Sequence, residues 1–124
     1  MMQERRAAMD ERKLPHDHGP GMEACREEIP ESAEFQTAAN LFRLLDDVSR
    51  MRIFWLLCRC EACVTNISAL MGMSSPAVSH HLRQLKAGGL ITGRRAGKEV
   101  YYKAADSETA RLLRHTIEKI MGEV

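Results

Sequence analysis

A chain of 124 residues with 44% hydrophobic and 28% charged content suits one globular domain with a modest core and excludes an intrinsically disordered chain. Only 5% of the residues are aromatic and four are proline, which points to a mainly helical protein. No apolar run reaches the roughly 18 residues of a membrane span, and the charged opening from Met1 to Lys13 lacks the apolar centre of a secretory signal. The expectation is a cytoplasmic protein with no membrane partner. Its cysteines, Cys25, Cys58, Cys60 and Cys63, then read as reduced thiols or metal ligands rather than disulfides.

The first 33 residues read as an arm, partly flexible, with Pro15, Gly19, Pro20 and Gly21 breaking it and Pro30 closing it. Short helices fit on either side of the break. Residues 34–124 form the main domain. Leu41, Leu44 and Leu45 make a helical stripe from Glu34 onward, and Asp46-Asp47 interrupts it, with Asp47 the expected cap of the next helix. That helix, Val48 to Arg59, is apolar on nearly every side and reads as the central core helix. A third, Val64 to Met71, turns Ile67, Leu70 and Met71 inward and ends at Gly72, which supplies a left-handed turn position. Ser74 and Ser75 are cap-capable, and Pro76 suits a first helical turn. The fourth helix runs to Ala87 with Val78, Leu82 and Leu85 inward. Leu90 to Arg95 and Glu99 to Ala104 read as a hairpin turning at Ala96-Gly97-Lys98. A last helix, from Ser107 to Met121 with Asp106 as cap, carries Leu112, Leu113, Thr116, Ile117 and Ile120 along one side, a surplus apolar face suited to a dimer. The order defines a mainly α winged helix-turn-helix with a small β-hairpin.

Charge follows that layout. Net charge is only +1, yet residues 74–103 hold six Lys or Arg against Glu99 alone, whereas residues 1–34 hold five against nine acids. A recognition helix presents short polar and basic side chains to the major groove. The outward positions here are Ser74, Ser75, Ser79, His80, Arg83, Gln84 and Lys86, with Gln84 and Arg83 suited to base edges. Arg94, Arg95 and Lys98 place positive charge on the hairpin, as a wing over the DNA backbone requires.

The stretch from Leu41 to Tyr102 resembles the ArsR/SmtB metal-sensor repressors. Leu45-Asp46-Asp47-Val48-Ser49-Arg50-Met51-Arg52-Ile53 is similar to the family's "LADPTRLRIL". Glu61-Ala62-Cys63-Val64 is similar to "ELCV", and the segment from Ser74 to Leu82 falls in the recognition-helix motif. Arg94-Arg95-Ala96-Gly97-Lys98-Glu99-Val100-Tyr101-Tyr102 matches "R-x-G-x-x-V-Y-Y". The resemblance implies a homodimer built from the first and last helices that represses by binding an inverted-repeat operator, double-stranded DNA, and releases it when an inducer binds.

The same resemblance implies alternative metal sites. A site on the terminal helices needs Asp-x-His and His-x-x-Glu or His-x-x-His; here Asp106-Ser107-Glu108 is followed by Lys119 and Gly122 at the matching positions, so that site is lost. His115 and Glu118 then read as a surface pair. At the thiol site, Cys63 matches the first cysteine of "ELCVC", Thr65 replaces the second, and Cys58 and Cys60 lie just upstream. Three thiols within six positions converge if the chain turns between Arg59 and Ala62, and such a site favours zinc, cadmium, lead, copper(I) or arsenite. Relatives with this site borrow ligands from an arm, often of the opposite subunit; His16 and His18 are the candidates, and Cys25 has no assigned role. A thiol-based redox or persulfide signal on the same fold is the alternative. An enzyme is not expected, because no phosphate loop and no base beside Cys63 is visible.

Overall fold

The computed structural model describes residues 14–123. Among these residues the elements follow in the order α1 (Pro20–Glu28), α2 (Ser32–Leu44), α3 (Val48–Arg59), β1 (Ala62–Cys63), α4 (Val64–Met71), α5 (Ser75–Ala87), β2 (Ile91–Ala96), β3 (Glu99–Ala104) and α6 (Glu108–Met121). The chain divides into two compact units, Met1–Asn40 and Leu41–Val124.

In the first unit, Gly19 adopts φ 103° and its N–H donates to Asp17 Oδ1 at 3.0 Å, which turns the chain into α1. Pro20 opens that helix, where its missing N–H costs nothing. No residue of α1 is buried. The helix after Pro30 begins at Ser32, two residues before the expected start.

The second unit holds the core. Asp47 caps α3, its carboxylate accepting the Arg50 N–H at 2.9 Å. Ile53, Phe54, Leu56 and Leu57 of α3 are buried against Ile67 of α4, Val78, Leu82 and Leu85 of α5, and Leu113 and Ile117 of α6. Gly72 ends α4 in the left-handed region at φ 65°, and Ser74 caps α5 by accepting the Ala77 N–H. The expected bounds of α3, α4 and the end of α5 all hold.

Three details differ from expectation. Leu70 is 62% exposed, because α4 turns Ile67 to the core with Val64 and Met71 packed beside it and leaves Leu70 outside that face. Ser107, not Asp106, caps α6: its hydroxyl accepts the Ala110 N–H at 3.1 Å, while the Asp106 carboxylate pairs with Arg111 at 2.7 Å. The hairpin is joined by a third strand, giving an antiparallel sheet ordered β1-β3-β2. Directly paired residues share a face. Ala62, Tyr102 and Gly93 form one row, turned to the core; Cys63, Tyr101 and Arg94 form the next, on the opposite face. Gly93 lets the strands pair closely, since a Cβ there would lie 3.1 Å from the Tyr102 ring and would need that ring to give by a few tenths of an ångström.

Candidate nucleic-acid interface and sensor segment

The inward triad of Val78, Leu82 and Leu85, each 2% exposed or less, fixes the roll of α5. That roll leaves His80, Arg83 and Lys86 exposed, with Ser79 half-buried beside them. Ser74 and Ser75 open the helix, and there the Ser74 hydroxyl is engaged as cap and the Ser75 hydroxyl lies 3.4 Å from that of Ser68. Gln84 sits on the flank facing α3, where its Oε1 accepts from Arg50 Nη1. Its amide oxygen is therefore committed to the scaffold and not to a base edge.

Arg50 is the residue that sequence reasoning missed. Its Nε donates to the Leu44 carbonyl at 2.6 Å, its Nη2 to the Arg43 carbonyl at 3.3 Å, and its Nη1 reaches both Gln84 Oε1 and His81 Nδ1. One planar guanidinium thus caps the end of α2 and grips α5. The available signal was its position: an arginine in the first turn of α3 opposes the helix dipole, so it must have another reason to be there. Burial lowers the His81 pKa, with the Asp47 carboxylate working against that shift.

On the wing, Gly97 at φ 64° allows the tight turn, and Arg95 and Lys98 are exposed beside it. Arg94 is engaged differently. Its Nε and Nη2 donate to the two carboxylate oxygens of Glu61 at 2.8 and 2.7 Å, and its guanidinium lies 5.1 Å from the Tyr101 ring centroid. This fork holds the Glu61 carboxyl below, and the Arg94 guanidinium above, their usual ranges.

The expected convergence of Cys58, Cys60 and Cys63 does not occur within one chain. Among the described residues, no group of three or more His, Cys, Asp or Glu side chains is placed to hold a metal ion. The reason is local geometry. Cys58 remains inside α3, half-buried, in the field of Arg114 and Glu118 of α6, and burial pushes its thiol up to about 11. Cys60 follows α3 as its extended C-cap, exposed, with its thiol donating to the Leu56 carbonyl at 3.7 Å. The chain then stays extended into β1, where Cys63 is buried on the face carrying Tyr101 and Arg94. In the first unit the His16 and His18 rings stack 5.7 Å apart and are exposed, as is Cys25.

The expected His115–Glu118 surface pair is not formed. Glu118 is buried and accepts from Arg114 Nε at 2.8 Å, with Arg59 at 3.7 Å. Arg59 also pairs with Glu123 at 2.9 Å and covers the Trp55 ring, so the end of α6 is tied to α3. Between these two helices lies an open apolar groove of about 620 Å³, lined by Val48, Met51, Trp55, Met71, Ile117 and Met121 among others. Beside it Ile120 is 80% exposed and Leu112 62%.

A capped recognition helix, a tight turn before it and a basic three-stranded wing define a winged helix-turn-helix DNA-binding protein. The profile of the bacterial regulatory protein, arsR family, matches residues 47–92. The chain is 38% identical over 93 residues to the transcriptional repressor SmtB homolog of Synechocystis sp. PCC 6803, covering 75% of this chain and 70% of that one. It is 36% identical over 76 residues to the cadmium resistance regulatory protein CadC homolog of Staphylococcus aureus, covering 60% and 63%. The homodimeric winged helix-turn-helix DNA-binding domain from Mycobacterium bovis superposes with a TM-score of 0.66 at 30% identity, covering 74% of this chain and 84% of that one. The chain belongs to the ArsR family of transcriptional regulators, DNA-binding proteins and not enzymes. No helix among the described residues is long and apolar enough to cross a membrane.

Proposed function

We propose that the protein is a cytoplasmic repressor that binds operator DNA as a homodimer and releases it in response to a thiophilic metal ion. The observation that carries the DNA half is the shared outward presentation of His80, Arg83 and Lys86 on α5 and of Arg95 and Lys98 on the wing. Ser79 and His80 from the first half of α5 and Arg83 from the next turn enter the major groove, and the wing cations lie on phosphates. The exposed apolar side of α6, around Leu112 and Ile120, and the groove beside Met121 are the surface for the second subunit, and the similar M. bovis domain is homodimeric.

The sensing half rests on donor chemistry. Cys60 and Cys63 offer soft sulfur at either end of a short extended segment, and Cys58 is turned away towards α6. Two thiols are an incomplete set for a trigonal or tetrahedral ion. His16 and His18 from the arm of the second subunit are the proposed completion, and nitrogen donors tilt the preference towards zinc or cadmium over lead or arsenite. The cadmium-resistance name of the CadC relative supports this reading. The redox alternative draws no comparable support from the names of the SmtB and CadC relatives.

Fluorescence anisotropy of a duplex from the protein's own promoter tests the proposal. Reduced, metal-free protein is expected to bind, and zinc or cadmium to release it. Cys60→Ser and Cys63→Ser are expected to keep binding and lose release. Release that persists in both variants overturns the thiol assignment, and failure of the wild type to bind any promoter fragment overturns the repressor.

A further inference from the structure

We infer that Glu61 masks a DNA contact: it holds Arg94 in a fork that competes with operator phosphate, so the segment between Cys60 and Cys63 sets how much positive charge the wing presents. The inference rests on the wing-to-DNA reading above. Three observations carry it. Both Arg94 donors that form the fork are spent on the two oxygens of one carboxylate, the geometry in which guanidinium also binds phosphate. The pair is solvent-accessible, with the Arg94 side chain 58% exposed, so exchange of the carboxylate for a phosphate needs no buried charge to be stranded. Glu61 lies one residue after Cys60 and two before Cys63, and the Cys63, Tyr101 and Arg94 side chains share one face of the sheet.

Of the four Arg and Lys side chains on the hairpin, Arg95, Lys98 and Lys103 are exposed, while the Nε–Nη2 edge of Arg94 is occupied by Glu61. The arrangement gives the sensor segment a direct line to the wing that does not pass through the core. Displacement of Glu61 frees a charge on β2 and favours DNA, so an ion that triggers release acts through this segment by keeping Glu61 on Arg94.

The test is a double-mutant cycle on operator affinity, read as the slope of log K against log salt for full-length wild type, Glu61→Gln, Arg94→Ala and the double variant. Glutamine keeps the shape and removes the charge that holds the fork. Glu61→Gln is expected to tighten binding of the dimer roughly 60-fold at 0.1 M salt and to steepen the slope by about 1.8, the signature of one added phosphate contact per subunit. In the Arg94→Ala background the same substitution is expected to change neither. A Glu61→Gln effect of equal size in both backgrounds overturns the inference, as it reports only the loss of a nearby negative charge. Weaker binding in Glu61→Gln with an unaltered melt also overturns it and makes the fork a brace for the wing. Arg95→Ala separates the two readings: a shallower slope there with no effect of Glu61→Gln leaves the wing on DNA and removes only the mask. If Arg95→Ala, Lys98→Ala and Glu61→Gln all leave the slope unchanged, the wing does not touch DNA and both readings fall.

Discussion

Replacing Arg50 separates the charge of this side chain from its shape. The guanidinium makes two hydrogen bonds to the last carbonyls of α2 and one to Gln84 of α5, so it fastens the recognition helix to the helix before the core. Hydrogen bonds from a charged donor contribute about 1.5–3 kcal/mol each when well sheltered, and this site is half-buried, which places each near the bottom of that range or below it. Arg50→Ala strands the Leu44 carbonyl and Gln84, and part of the loss is recovered by water; a destabilisation of about 2 kcal/mol is expected. Arg50→Lys keeps the charge but has one compact head that cannot reach both helices, so about half of that loss should remain. Urea denaturation at one fixed protein concentration measures both, because a dimer's stability depends on concentration. Operator affinity measured far below the melting midpoint is expected to fall in both variants, since the roll of α5 loosens. Wild-type stability and affinity in Arg50→Lys would refute the reasoning, showing that the directional bonds contribute nothing.

Other consequences are equally open to measurement. Gly72→Ala puts a Cβ on a residue at φ 65° and should cost about 1–2 kcal/mol, read as a lower urea midpoint with an unchanged m-value. Because burial raises the Cys58 thiol from 9.0 to about 11, the folded protein holds this proton longer than the unfolded chain does. Its contribution is whole below pH 9 and is lost as pH rises from 9 towards 11; Cys58→Ala should flatten that part of the stability profile. Iodoacetamide at pH 8 should accordingly label Cys60 well before Cys58. The cap bond from Arg50 N–H holds the Asp47 carboxyl below its usual value, so its contribution is present above about pH 4 and is lost as pH falls through the lowered value. Asp47→Ala should melt with a weaker dependence on acid than the wild type. Ile120→Asp places a charge on the exposed side of α6 and should yield monomers by sedimentation, with weaker operator binding.

The elements that proved most legible carry their own punctuation. Asp47, Gly72 and Ser74 mark helix ends by local chemistry that needs no partner, and the spacing of Val78, Leu82 and Leu85 sets the buried face of α5. The hairpin was equally plain from its Gly97 turn and the Val100-Tyr101-Tyr102 run. What escaped was created by neighbours distant in sequence. A two-residue strand such as β1 has no pattern of its own and exists because the edge of β3 is open to it. Glu118 reads as a surface acid from its helix position, but it is buried in the fold, where it pairs with Arg114 of its own helix and with Arg59 of α3. Gln84 and Arg94 look like DNA contacts in a basic stretch, whereas Arg50 and Glu61, 34 and 33 residues away, engage them. The three cysteines were close in sequence, but a helix end followed by an extended strand keeps them apart, because proximity along a chain fixes no side-chain direction.

Hydroxyl-radical footprinting of the protein's own promoter with reduced, metal-free protein tests the central claim most directly. A winged-helix dimer with α5 in the major groove predicts two protected patches related by symmetry and about one helical turn apart, with both lost together in Arg83→Ala. One unpaired patch, or protection that survives Arg83→Ala unchanged, would contradict the placement of α5 on DNA.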